Sequence, residues 1–472
     1  MKALRGLPNR APLPPKSPSA TSQHGVNPQC FDPLPWETYF DKRDFARVER
    51  TDCSGSFCYY VKETQPEDAA NAAHNDMPAS PGGISAPPVQ SPPLVFLLHG
   101  GGFSGLSWAA MSASLVGKVV CRCVSFDIRG HGDSVLDEKS PEDDGRHNDM
   151  DFSLDALTND AASLLNCLLE SSDFSANPPS GVVLIGHSMG GAIATHLAYS
   201  GLCPLPVCAL VVIDVVEGSA MEALSSMRGY LASRPSRFPS LQAAIQWCYR
   251  SGTVHNLDSA RVSFPGHLKL VNPSERQQQK QKDQEEPKQP RHSVASSAIT
   301  EEPEEEDEEQ ADSADSMQSK QLSLPGLSLR GPALLNSRSN KPPLPMAAAT
   351  AADNRPSYRS AQQVDPTQPY YTWRIDLSST ESHWSGWFHG MSRKFLEVPA
   401  AKMLLLAGVD RLDRELTVGQ MQGKFQMQLL HRSGHAVHED HPEHVAEVLA
   451  SFLVRHKLAR ALADFHPAPP GC

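Results

Sequence analysis

The sequence predicts an α/β protein built on a doubly wound, mostly parallel sheet, and three observations carry that prediction. Short continuous apolar runs recur along the chain, helical patterns lie between them, and several runs end at glycines or acids. The first run is LVFLLH (94–99), with prolines before it and glycines after it. CRCVSFD (121–127), VVLIGH (182–187), VCALVVID (207–214) and MLLLAG (403–408) repeat the type. Runs of this length without alternation fit strands buried on both faces, as in a parallel sheet. Ser153 can cap a helix that places Leu154, Leu157, Ala161, Leu164, Leu165 and Leu168 on one face. A last helix has Pro442 at its first position, Glu443 at its positive end, and a stripe of Val445, Val448, Leu449, Phe452 and Leu453. Strands alternating with helices give a doubly wound sheet.

The chain has 472 residues, but its 40 prolines and long polar stretches leave enough for one large domain. Residues 1–30 are rich in Pro, Ser and Arg and read as disordered. The domain is expected to begin at 31 and run to 272, with a polar insertion at 63–93. Residues 273–366 read as a disordered acidic insertion, 367–466 as the second part of the domain, and 467–472 as a tail. Net charge is −12, and the acidic run Glu301–Glu309 supplies most of it, so no nucleic-acid partner is expected. The ten cysteines form no dense framework; Cys121, Cys123 and Cys167 read as small packed thiols. Neither a secretory leader nor a membrane span is expected, which points to a soluble cytoplasmic or nuclear protein.

The strongest chemical signal is GHSMG (186–190), directly after one apolar run and directly before GAIATHLA. A nucleophilic serine needs a tight strand-to-helix turn, and glycines fit where that turn crosses its neighbours. Ser188 is therefore the candidate nucleophile, and the backbone N–H of Met189 a candidate oxyanion donor. HGGG (99–102) follows an earlier run, and Gly101 is the candidate second donor. No G-K-[ST] follows these glycines, so a phosphate cradle is disfavoured. DIRGHG (127–132) is read as bracing a loop. His435, after a glycine at a late strand exit, is the candidate base. His435, His438, His441 and His444 recur at steps of three, but Pro442 breaks any helix that would align them, and no metal is expected. Two aspartates end runs, Asp214 and Asp410, and the pattern does not choose between them as the triad acid.

Longer motifs narrow the reading. LIGHSMGGAIA, VVIDVVEGSAM, NLDSARVS, YTWRIDL, GWFHGMSRKFL, LLLAGVDRLDRELTVGQMQGKFQMQ and GHAVHEDHPEHVAE together resemble the protein phosphatase methylesterase family of α/β hydrolases. RGLPNRAPLPP, LLHGGGFSGLSWA and the terminal PGC agree, and the likeness covers 31–62, 94–272 and 367–472. The resemblance implies a carboxylesterase acting on the methyl ester at the C-terminal leucine of the protein phosphatase 2A catalytic subunit, which would be substrate and partner. It also implies Ser188 as nucleophile, Asp214 as acid and His435 as base, with no cofactor, and a lid between Asp214 and Asp376. For Trp373, Trp384, Trp387 and Phe388, a peptide-binding wall and a lid core stand equal. The length of 273–366 and the extra 63–93 segment depart from the family pattern. Another esterase of this fold and a non-catalytic phosphatase-binding regulator are the competing readings.

Overall fold

Eleven strands organise the structure, a computed structural model that describes residues 28–75, 92–138, 150–273, 368–408 and 412–468. They are β1 (Lys42–Glu49), β2 (Cys53–Glu63), β3 (Leu94–Leu98), β4 (Arg122–Phe126), β5 (Val135–Glu138) and β6 (Val182–His187). After these come β7 (Val207–Ile213), β8 (Leu268–Val271), β9 (Tyr370–Trp373), β10 (Ala401–Leu406) and β11 (Gln426–Leu429). The main sheet has the order β1-β2-β4-β3-β6-β7-β10-β11, with β5 also paired to β2. From β4 to β11 every pairing is parallel. The pairings of β2 with β1, β4 and β5 are antiparallel.

The parallel strands are the apolar runs of the sequence, and their side chains alternate between two cores. Leu94, Phe96 and Leu98 of β3 pack on one face with Leu157, Leu164 and Leu168 of helix Leu154–Glu170. Val95 and Leu97 pack on the other with Val445, Leu449, Phe452 and Leu453 of helix Pro442–Arg455. Ser153 caps its helix as expected, its hydroxyl accepting the Ala156 N–H at 3.2 Å. β10 begins two residues before the expected run, because Lys402 interrupts the apolar pattern while its Nζ turns back to the Val398 carbonyl at 2.6 Å. The antiparallel strands escaped the sequence reading. β1 is KRDFARVE, a half-exposed strand with charges along it and no apolar run.

Chain on both sides of 274–367 enters the one sheet. Within the expected insertion at 63–93, Pro66–Asn75 forms a helix, and residues 76–91 lie outside the described residues. Most of 1–30, nearly all of 273–366 and most of the 467–472 tail lie outside them too. Pro28–Phe31 is a short 3-10 turn, so regular structure begins before residue 31. The nine described cysteines are all free, and Cys121 and Cys123 are buried with their sulfurs 4.0 Å apart. Between β7 and β10 lie helices Glu217–Ser233, Leu241–Ser251, Leu257–Ser263 and Glu381–Phe388, and the hairpin β8–β9. Trp384, Trp387 and Phe388 are buried there, and Trp373 is half-buried.

The sharpest steric demand falls where β6 meets helix Met189–Ser200. A methyl group on Gly190 would overlap the Leu98 carbonyl, and one on Gly186 the Gly190 carbonyl. Both obstacles are backbone and cannot swing aside. Gly190→Ala should therefore lower unfolding free energy by about 2 kcal/mol or more, measured by urea denaturation. A loss below about 0.5 kcal/mol would show that the turn is slacker than this geometry.

Candidate active site

Ser188 sits at the turn between β6 and the helix that follows, with φ 53° and ψ −121°. That backbone region is costly for any residue with a side chain and persists only where surrounding contacts enforce it. Here the Ser188 N–H donates to the Ile213 carbonyl at 3.1 Å, and the Ser188 carbonyl accepts the Gly191 N–H at 2.8 Å. The flanking glycines let the turn lie against the end of β3. The serine is thereby held at the start of a twelve-residue helix, where the first N–H groups have no intrahelical partner.

Asp214 follows β7, the next strand in the sheet, and also has a positive φ of 50°. Its N–H donates to the Leu405 carbonyl at 2.8 Å, and its Oδ1 accepts the Ala407 N–H at 3.0 Å, so the carboxylate is clasped by β10. His435 comes from the loop after β11, and its Nδ1–H donates to Asp214 Oδ2 at 2.8 Å. The Asp214 side chain is fully buried, while that of His435 retains 19% exposure. This contact fixes the imidazole tautomer and leaves Nε2 for a proton from elsewhere. Asp410, the other candidate acid, lies outside the described residues.

The glycine loop packs directly on the serine turn. A methyl on Gly100 would lie 2.8 Å from His187 Nδ1 and 3.2 Å from Ser188 Cβ. The Gly102 N–H donates to His131 Nε2 at 2.9 Å, and His131 Nδ1–H donates to the Arg129 carbonyl at 2.8 Å. His99 completes the brace: its Nδ1–H donates to the Gly100 carbonyl at 2.8 Å and its Nε2 accepts the Ile128 N–H at 3.0 Å. Asp127 accepts the N–H groups of Gly105 and Asp133 at 2.7 and 2.8 Å. The 127–132 segment thus holds the loop, and Arg129 anchors that segment through a buried ion pair to Asp160 at 2.5 Å. The N–H groups of Gly101 and Met189 reach no acceptor among the described residues. Leu377 covers Gly101 and Gly102 from the lid.

Sequence reasoning passed over His187. Its Nε2–H donates to the His435 carbonyl at 2.8 Å, and its ring lies 4.6 Å from that of His435 and 4.7 Å from that of His438. The only linear signal for it is its place beside Ser188, and its partner is 248 positions away. His438 stacks on Trp108 at 4.1 Å with neither ring nitrogen partnered. No grouping of three potential metal ligands occurs among the described residues.

Burial sets the protonation of this neighbourhood. It pushes His131 down to about 4 and His187 and His267 to about 3, and it lowers His99 and His438 as well. The same desolvation raises Asp127 to about 6 and raises Glu439. The two sets act in opposite directions. Below pH 6.5 the unfolded chain binds protons that the buried histidines refuse, so their contribution to stability is lost as pH falls toward 4. The raised carboxyls hold native protons that the unfolded chain releases above about pH 4, so theirs is lost as pH rises. Five histidines oppose two carboxyls. Stability should therefore fall with acidification between pH 6.5 and 5, by about 4 kcal/mol per pH unit near pH 5, or three net protons. Urea unfolding across that range checks the slope; one shallower than a single proton would contradict neutral burial of these rings.

Comparison with known proteins adds to this geometry. A sequence profile described as the alpha/beta hydrolase family matches residues 95–304. Protein phosphatase methylesterase 1 of Homo sapiens is 37% identical over 476 aligned residues, covering 99% of this chain and 98% of its own. The probable protein phosphatase methylesterase 1 of Caenorhabditis elegans is 32% identical, covering 97% of this chain and 86% of its own. The crystal structure of E-2-(acetamidomethylene)succinate hydrolase aligns with a TM-score of 0.47 and 11% identity, over 88% of this chain and 100% of that one. No helix among the described residues is long and apolar enough to cross a membrane. With relatives of this identity along nearly its whole length, the chain belongs to the protein phosphatase methylesterase family and is a carboxylic ester hydrolase of the α/β-hydrolase fold.

Proposed function

We propose that this enzyme, cytoplasmic or nuclear, removes the methyl ester from the C-terminal leucine of the protein phosphatase 2A catalytic subunit, its substrate and binding partner. The carrying observation is the 2.8 Å contact of His435 Nδ1–H with buried Asp214, at the strand-end cluster that also presents Ser188. The methylesterase relatives supply the substrate class.

In this mechanism His435 Nε2 takes the proton of Ser188 Oγ as that oxygen attacks the ester carbonyl. Asp214 holds the tautomer and balances the imidazolium that forms. The N–H groups of Met189 and Gly101 receive the developing oxyanion; the Gly102 N–H is already given to His131. Collapse of the tetrahedral intermediate expels methanol, which leaves with the proton held by His435. Water, deprotonated by His435 in turn, cleaves the acyl-enzyme and restores Ser188. No metal or organic cofactor enters any step.

Methanol release from the methylated phosphatase subunit tests this. Ser188→Ala should lower kcat by roughly 10⁵-fold or more, and Asp214→Asn by about 10⁴-fold, while Asp410→Asn stays within a few-fold of wild type. Loss of activity in Asp410→Asn with retention in Asp214→Asn would exchange the acid. Binding of the phosphatase without methanol release by the wild-type protein would leave a regulator on an esterase fold.

A further inference from the structure

Ser188 and Asp214 each follow a strand directly, whereas His435 comes only after the loop 430–434. That loop leaves the sheet at Leu430, whose N–H donates to the Leu406 carbonyl at 2.9 Å, and it passes through Arg432 at φ 70°. Two contacts outside the triad hold the chain on either side of the His435 Cα. Beyond it, His187 Nε2–H donates to the His435 carbonyl at 2.8 Å. Before it, the N–H of Gly434 donates to Asp440 Oδ2 at 2.6 Å.

The Asp440 carboxylate takes two more donors, both from His255. Its Oδ1 accepts the His255 backbone N–H at 2.7 Å, and its Oδ2 accepts His255 Nδ1–H at 2.8 Å. The Asp440 side chain is fully buried, while that of His255 is half exposed. This second His–Asp pair repeats the contact of His435 with Asp214, but it closes on backbone. A methyl on Gly434 would lie 3.0 Å from His255 Cε1 and 3.2 Å from Asp440 Oδ2, so a glycine lets the pair approach the loop. His255 is itself well placed. It stands between helices Leu241–Ser251 and Leu257–Ser263, and the next residue, Asn256, caps the second by accepting the Ser259 N–H at 3.0 Å.

Hydrogen bonds to an ionised carboxylate are roughly twice as strong as neutral ones, so three of them make a firm staple. Its location gives it a bearing on the chemistry. Asp214 holds one ring nitrogen of His435, but the reach of Nε2 toward Ser188 also depends on where the chain sets the His435 Cα. A displacement of about 1 Å in a reacting group can cost on the order of 10²-fold in rate.

We propose that Asp440 is a positioning residue for ester hydrolysis: backed by His255, its carboxylate fixes Gly434 and thereby the placement of the base His435. The proposal rests on the reading of His435 as base and adds the group that holds it.

A double-mutant cycle tests it, with methanol release from a peptide ending in leucine methyl ester as the readout. Asp440→Ala should lower kcat by roughly 10²-fold, while KM changes less than about threefold. In a His435→Ala background the same substitution should leave the residual rate unchanged, because no base remains to be positioned. Loss of folded protein would instead lower both rates by one common factor. That result, or an unchanged kcat in Asp440→Ala, would overturn the proposal. Should Asp440→Ala fail to fold, His255→Ala replaces it. The half-exposed ring carries one of the three donors, and its removal should lower kcat about fivefold with His435 present and not without it. Equal effects in the two backgrounds again reject the role. Full activity in His435→Ala would reject the base itself, and the proposal with it. Should wild type release no methanol, proton NMR decides. The low-field resonance of His435 Nδ1–H, assigned by its absence from His435→Ala, should vanish or broaden in Asp440→Ala. An unaltered resonance would remove the role.

Discussion

The backbone of Ser188 is the constraint on which the rest of this structure turns. A serine at φ 53° must be held there by its neighbours, and each neighbour is a consequence of the parallel sheet. β3, β6, β7 and β10 end on the same edge because they run in the same direction. The Ile213 carbonyl at the end of β7 takes the Ser188 N–H, and the Leu405 carbonyl near the end of β10 takes the Asp214 N–H. Two adjacent crossings thus hold two residues of positive φ side by side. The glycines at 186 and 190 are the steric condition for this arrangement, since backbone carbonyls occupy the space a side chain would need.

Around that edge, the protein separates charge from scaffolding. Five buried histidines surround the site, and burial lowers the proton affinity of each. Three of them, His99, His131 and His187, serve as neutral hydrogen-bonding struts. His131 and His99 hold the glycine loop, and His187 holds the carbonyl of His435. Neutrality matters because a cation 4.6 Å from His435 would oppose the imidazolium that ester attack requires. Asp214 then faces that developing charge from a fully buried position, where its attraction is weakly screened.

How much of this was legible depended on whether a residue's environment is local in sequence. β3, β4, β6 and β7 were legible because burial on both faces writes an uninterrupted apolar run. β1 was not, since a half-exposed strand dominated by charged residues lacks that mark. Ser188 stood out because its turn imposes glycines two positions either side. The acid did not: Asp214 and Asp410 both end apolar runs, and the contact with His435 joins residues 221 positions apart. Family resemblance favoured Asp214. His187 and Leu377 carried no linear signal, because their partners lie on other elements of the fold.

The hairpin β8–β9 is anchored by its contacts with the rest of the lid. Residues 272–369 join two strands that pair from Val271 with Tyr370 to Leu268 with Trp373. Bonds to the rest of the lid hold the hairpin. Phe238 and Tyr371 exchange two backbone hydrogen bonds at 2.8 Å, Thr372 Oγ1 donates to the Ser236 carbonyl at 3.0 Å, and Trp373 Nε1 donates to that of Pro235. At about 1 kcal/mol net apiece, these four bonds contribute roughly 4 kcal/mol before any apolar burial is counted. Trp373 adds packing against Phe238, Trp247 and Phe264. His267, Arg374 and Leu377 are thus placed by the lid core that grips the hairpin's free end.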